Sequence, residues 1–240
     1  MKNALLLTLT TAIMFASIVA GDEISTSAGS VTVTPIQHAS FTLTANGKTI
    51  YIDPAPADLF SAKPKADLIL ITDIHGDHMD PKAVQELSGS GTQVIAPAAV
   101  AKTITQADVL NNGETKRWNN WTIEAVPMYN EKRGPAPGQL FHTKGRGNGY
   151  VLTYGGKRFY ISGDTEGIPE MRQLKNIDVA FVCMNLPYTM PVEEAADAVK
   201  AFHPKIVYPY HYRGQDTNKF AQLLKGTGID VRLRDWYAKS

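Results

Sequence analysis

Apolar runs of strand length recur along this chain, separated by turn residues. Val31 to Pro35 alternates apolar positions with threonine, the pattern of a half-buried strand. Phe41–Thr44 and Thr49–Ile52 flank Ala45-Asn46-Gly47-Lys48, where Asn46-Gly47 predicts a hairpin turn with positive φ. Leu68-Ile69-Leu70-Ile71 has no polar position, as expected of a strand buried on both faces. Further strands are predicted at Gln93–Ala96, Trp121–Val126, Ile177–Cys183, Ile206–Tyr210 and Ile229–Leu233. Tyr150–Tyr154 and Lys157–Ile161 form a second hairpin through Gly155-Gly156.

Helical spacing appears in four places. Pro81–Leu87 has Asp80 as N-cap and proline at the first helical position. Ala98–Ile104 is short. Val192–Phe202 carries Glu193 and Glu194 early and Lys200 late, which suits the helix dipole. Thr217–Leu224 stops at Gly226. Residues 21–30 are small and polar and read as a tail. Glu131 to Gly149 is rich in glycine, proline and charge without periodicity, and a loop this long is often functional. Hairpins in the first half and strand–helix alternation in the second predict two mixed sheets packed together with helices outside. No repeat or linker divides residues 21–240, which read as one domain.

Composition adds two constraints. Hydrophobic residues at 43% and charged residues at 20% are ordinary for a globular chain. A net charge of +1, with no long Lys/Arg run, argues against a nucleic-acid partner. Met1-Lys2-Asn3 followed by the uncharged, mostly apolar Ala4–Ala20 is the pattern of a secretory signal peptide. Cleavage is expected after Ala20 or Gly21, giving a periplasmic or secreted protein with no stable membrane partner. The one cysteine, Cys183, lies in an apolar run and reads as a buried strand residue; it permits no internal disulfide.

The candidate chemistry sits where the apolar strand at Leu68–Ile71 ends. Asp73, His75, Asp77 and His78 place four metal-competent side chains within six residues. Imidazole nitrogen and carboxylate oxygen suit Zn²⁺ and Mn²⁺. Gly76 is expected to let this segment turn tightly. Asp80 is explained as a helix cap, but two histidines and two acids beside a buried strand need compensation.

Asp73-Ile74-His75-Gly76-Asp77-His78 resembles the metallo-β-lactamase superfamily, whose signature is His-x-His-x-Asp-His. Asp73 stands where the first histidine belongs, a harder, oxygen-bearing position. The resemblance extends to His142 in Phe141-His142-Thr143, to Gly163-Asp164-Thr165, to His211 in Tyr210-His211-Tyr212 and to Asp53 in Ile52-Asp53-Pro54, and so spans about residues 31 to 235. His38-Ala39-Ser40, Lys144–Gly149 and Pro187-Tyr188-Thr189-Met190 are similar to a branch of sugar-lactone and phospholipid hydrolases.

The resemblance implies a four-layer αββα sandwich of the α/β (α+β) class and two divalent ions, zinc first, with manganese or iron as alternatives. Asp73, His75 and His142 would hold one ion. Asp77, His78 and His211 would hold the other, and Asp164 would bridge them. Asp53 would fix the ligand loop from behind. It further implies hydrolysis of an ester, lactone or phosphodiester of a small-molecule substrate by metal-activated water, with Asp77 and Asp164 catalytic. Two other readings stay open: a non-hydrolytic metal-binding or redox protein on the same fold, and a partner-binding protein with a vestigial site. Oligomeric state is not legible. His38 divides equally between core packing and the site rim and stands outside the ligand set. Tyr188 and Tyr212 flank the site segments and read as packing. Lys144 and Arg146 read as a solvated loop face, with attraction of an anionic substrate as the alternative. His203 reads as a helix terminus.

Overall fold

The computed structural model describes residues 21–237, so the expected signal peptide at residues 1–20 lies outside the described residues. Fourteen strands form two seven-stranded sheets. The first sheet contains β1 (Asp22–Thr26), β2 (Gly29–Gln37), β3 (Ser40–Ala45), β4 (Lys48–Ile52), β5 (Leu68–Leu70), β6 (Gln93–Ala96) and β7 (Asp108–Val109), in that spatial order. The second runs β8 (Thr115–Trp118), β9 (Trp121–Met128), β10 (Gly147–Tyr154), β11 (Lys157–Ile161), β12 (Val179–Cys183), β13 (Ile206–Tyr210) and β14 (Asp230–Val231). Each sheet opens as an antiparallel meander and continues in parallel, from β4 in the first and β11 in the second.

Side-chain alternation builds the layers. Leu68 and Leu70 of β5 join the core between the sheets, whereas Ile69 and Ile71 pack outward with Ala83, Val84 and Leu87 of α1 (Pro81–Leu87). The continuous apolar run is thus a strand with a core on each face. Phe41 of β3 stacks on Phe181 of β12 at 4.4 Å between ring centres, joining the two sheets. On the far side Tyr160 of β11 meets Phe202 of α4 (Val192–Phe202) edge-on at 5.7 Å. The result is the expected sandwich of two mixed sheets flanked by helices.

Several elements differ from expectation. Residues 22–26 are not a tail: they form β1, antiparallel to β2 through the register Asp22↔Val33 to Thr26↔Gly29. Ile24 alone is buried there, too few apolar positions to announce a strand. The side chain of Asp22 accepts bonds from Arg234 and Tyr208, tying β1 to the second sheet's end. The helix α2 is a single turn, Ala98–Ala101, because its N-cap Pro97 offers no side-chain acceptor and β-branched residues follow. A short helix α3 (Pro169–Arg172) and strands β7 and β8 carry too little periodicity to be read from sequence. The last helix, α5 (Thr217–Leu223), is capped by Asp216. Among the described residues, no helix is long and apolar enough to cross a membrane.

Candidate metal centre

Strand ends converge to make the site. Asp53 follows β4, Asp73 to His78 follow β5, Asp164 follows β11, and His211 follows β13, all at carboxyl ends. His38 lies in the β2–β3 turn, and His142 comes from the β9–β10 loop. His38, Asp53 and His211 take positive φ values of 54°, 45° and 49°. Each costs roughly 1–2 kcal/mol for a residue with a Cβ, so three together mark a backbone shaped by its side chains.

Two glycines bring the sheets close here. A Cβ on Gly163 (φ 60°) would lie 2.6 Å from Met128 Sδ, and one on Gly147 would lie 2.8 Å from the Thr72 carbonyl oxygen. That approach lets Asn148 N–H donate to Thr72 O at 2.9 Å, tying β10 to the strand that launches the ligand loop. Gly76 is different. Its φ is not positive and a Cβ there would meet nothing, so the turn does not require glycine. Bonds from His78 N and Met79 N to His75 O close it instead.

The buried side chains meet around Asp164. His142 Nε2 and His78 Nε2 lie 3.2 and 3.4 Å from Asp164 Oδ2, and His211 Nδ1 lies 3.3 Å from Oδ1. All four residues are buried, yet His78 Nε2, His142 Nε2, His211 Nδ1 and Asp164 Oδ1 have no hydrogen-bond partner. Unpaired buried polar atoms are rare and costly. His78, His211 and Asp164 stand within common reach of one divalent ion, and His142, which meets Asp164, groups with Asp73 and His75, so imidazole nitrogens and carboxylate oxygens face each other as metal donors do. The residues therefore fit a metal.

Each imidazole is aimed from behind. Asp53 Oδ2 accepts from His78 Nδ1 at 2.8 Å, and its two oxygens also accept from Thr72 N and Oγ1 at 2.7 Å. Asn130 Oδ1 accepts from His142 Nδ1 at 2.6 Å and from the His142 backbone N–H at 2.8 Å. Such bonds fix the tautomer and leave Nε2 as the free lone pair. Burial works to lower the His78 pKa, but Asp164 and Asp53 outweigh it and hold it well above the ordinary value. Burial likewise opposes ionisation of Asp164, but the charges of His211 and His78 hold it well below the carboxylate range.

Asp77 and His38 form the outer part. His211 Nε2 and His38 Nε2 lie 3.3 and 3.1 Å from Asp77 Oδ2. Asp77 thus stands with His38 and His211, while His78 stands with Asp164 and His211, a different grouping from the one the sequence implied. Arg213 N–H donates to Tyr237 Oη at 2.8 Å, so the Tyr237 hydroxyl donates to His38 Nδ1, 2.5 Å away. His38 Nε2–H then donates to Asp77. Burial pushes the His38 pKa down to about 4, against the pull of Asp77, which keeps the imidazole neutral near pH 7. Opposing burial, hydrogen bonds from His211 and His38 hold Asp77 far below the usual carboxylate range. With its side chain 38% exposed, against 0% for Asp73 and 4% for Asp164, Asp77 is the acid of the centre that solvent reaches. A cleft of about 470 Å³ opens beside it, lined by Gln37, Ala55, Pro56, Arg213 and Tyr237 among others.

Asp73, His75 and His142 form a third group. Asp73 is fully buried, and its two oxygens accept a fork from Arg146, Nε to Oδ1 at 3.1 Å and Nη2 to Oδ2 at 2.8 Å. Arg146 is therefore no solvated loop residue. Lys144 is one: it pairs with Glu170 at 2.5 Å above the Tyr129 ring. Neither Asn130 nor Arg146 carried a sequence signal for these roles, because each meets its partner only through the fold. Glu166, missed for the same reason, accepts from the backbone N–H groups of Glu131, Lys132 and Arg133 and pins the front of the long loop. Tyr188 packs edge-on against Phe141 and Tyr212 against Tyr237. His203 caps α4 in a left-handed conformation, with Nε2 3.0 Å from Thr227 O. Cys183 is buried, which pushes its thiol up to about 11 and leaves it unreactive.

Comparison with known proteins yields a consistent set. A family model described as a β-lactamase superfamily domain matches residues 32–211. A UPF0173 metal-dependent hydrolase of Thermus thermophilus is 31% identical over 216 residues, covering 83% of this chain and 94% of the relative. Among solved structures, a protein of Parabacteroides distasonis described as a candidate metal-dependent hydrolase superposes with a TM-score of 0.84 at 46% identity, over 89% of this chain and 97% of that one. The metallo hydrolase Igni18 of Ignicoccus hospitalis gives 0.71 at 25% identity, over 85% and 95%.

Proposed function

The chain belongs to the metallo-β-lactamase superfamily as one of its metal-dependent hydrolases, and from that premise we propose that it cleaves an ester, lactone or phosphodiester bond at a two-seat divalent-metal centre. The convergence of three unpaired, buried imidazole nitrogens on Asp164 carries this reading. His78, His211 and Asp164 would hold one ion, and Asp73, His75 and His142 would offer the second seat. Zinc suits the nitrogen-rich group best, with manganese or iron as alternatives. Bound ions supply Lewis acidity and lower the pKa of water toward neutrality.

The remaining steps belong to the chain's own side chains. Asp77 is the most exposed carboxylate of the centre and is ionised at neutral pH, so it orients water by accepting a hydrogen bond from it. His38, fixed by Tyr237, donates to Asp77 Oδ2 and keeps that carboxylate in one orientation. Substrate enters the cleft between Ala55–Pro56 and Arg213–Tyr237, where apolar walls and one cation suit a small organic ester with an acidic or polar group. The N-terminal pattern supports an exported, periplasmic or secreted enzyme.

Turnover of simple lactones, p-nitrophenyl esters and bis(p-nitrophenyl) phosphate tests the proposal. Hydrolysis of one class is expected, lost on chelation and restored by added metal. Turnover that survives complete metal removal contradicts it.

A further inference from the structure

We propose that Arg146 is a built-in counter-ion at the Asp73 seat, so that the protein takes up its two divalent ions with unequal affinity. The inference rests on the two-seat reading above and assigns regulation within it. Three observations carry it. The donors of Arg146 point inward, with Nε and Nη2 on Asp73 and Nη1 on Phe141 O at 2.8 Å. Asp73 Oδ2 also lies 2.9 Å from His75 Nδ1, so both oxygens of this fully buried carboxylate are engaged. By contrast, His78 Nε2, His211 Nδ1 and Asp164 Oδ1 of the other seat are all buried and unpaired, whereas at the Asp73 seat only His142 Nε2 is.

The physical consequence is a difference between the two seats. A cation arriving among His78, His211 and Asp164 satisfies atoms that otherwise have no partner. A cation arriving between Asp73, His75 and His142 must strip a bidentate, charge-assisted pair and approach a guanidinium of like charge. The same guanidinium braces the Phe141 carbonyl, next to His142, so its release also loosens the loop carrying a ligand of that seat. The residue types match. A carboxylate accepts the guanidinium fork with both oxygens, and an imidazole at position 73 would offer no such pair of acceptors.

Titration of the chelator-stripped protein with Zn²⁺ by calorimetry, repeated with Co²⁺ absorption, tests this. The wild type is expected to bind one equivalent tightly and a second roughly 10–100-fold more weakly, the scale on which outer partners tune metal sites. Arg146→Gln is expected to tighten the second equivalent, because it leaves a buried carboxylate with no cation. Arg146→Lys, which keeps the charge without the fork, is expected to fall between. Two equivalents of equal affinity in the wild type overturn the inference and leave the hydrolase reading standing. An unchanged gap in a folded Arg146→Gln protein overturns it as well. Should that variant fail to fold, the wild-type and Arg146→Lys titrations decide. Failure to bind metal at all overturns both this inference and the reading beneath it.

Discussion

Asp53 shows how a single side chain sets the geometry of another. Fully buried and in a left-handed backbone conformation, it anchors Thr72 and aims His78 at Asp164. Replacing it by asparagine keeps the volume but removes one acceptor oxygen. Asp53→Asn is therefore expected to weaken metal binding roughly 10–100-fold. Titration of the stripped protein checks this, and unchanged affinity would show that Asp53 serves the backbone alone. At this scale Asp53, Asp164 and His211, singled out by the resemblance to the superfamily, lie just past the ends of β4, β11 and β13, strands that the apolar pattern also predicts. Side chains that reach across the fold were not. Arg146 lies 73 positions from Asp73, and Asn130 aims His142 from 12 positions away, with no pattern linking them. Gly76 was assigned a steric role that its backbone does not have.

The elements carrying the site have unequal support. The ligand loop after β5 is held by its own turn and by Asp53, whereas the loop from Tyr129 to Gly147 depends on Glu166. Burial would raise the Glu166 pKa, but bonds from Asn130 and from the Arg133 and Glu131 backbone hold it below its ordinary 4.5. A folded-state pKa below the unfolded one gives stability that is present above pH 4.5 and lost as pH falls through the lower folded value. Glu166→Gln is accordingly expected to cost about 1–3 kcal/mol near pH 7, the penalty for unsatisfied buried groups. Denaturant unfolding should show the wild-type advantage shrinking below pH 4.5, and a difference constant with pH would contradict the role. Long periodic elements such as α1, α4 and the two hairpins were legible, because burial on one face imposes a repeat. The short pieces β1, β7, β8 and α3 owe their conformation to neighbours and carry no repeat of their own.

At the scale of the whole molecule, the two sheets share one plan, an antiparallel meander running into parallel strands. Their parallel halves end on the same side, and the Phe41–Phe181 stack and the Thr72–Asn148 bond hold those ends together. Eight acidic and imidazole groups from distant parts of the chain, with Asp53 behind them, thereby share one small volume. Repulsion among the acids and the unpaired donors are tolerated because a cation belongs between them. The layered fold was readable from sequence, and the ligand segments through the resemblance; the proposed division of the ligands into seats of different strength was not, since it depends on which atoms the fold leaves without partners. The most direct test is anomalous diffraction at the zinc edge from crystals of the zinc-loaded protein. A peak within bonding distance of His78 Nε2, His211 Nδ1 and Asp164 is the expected result. Zinc bound elsewhere, or no peak among these three side chains, would contradict the metal centre on which the account rests.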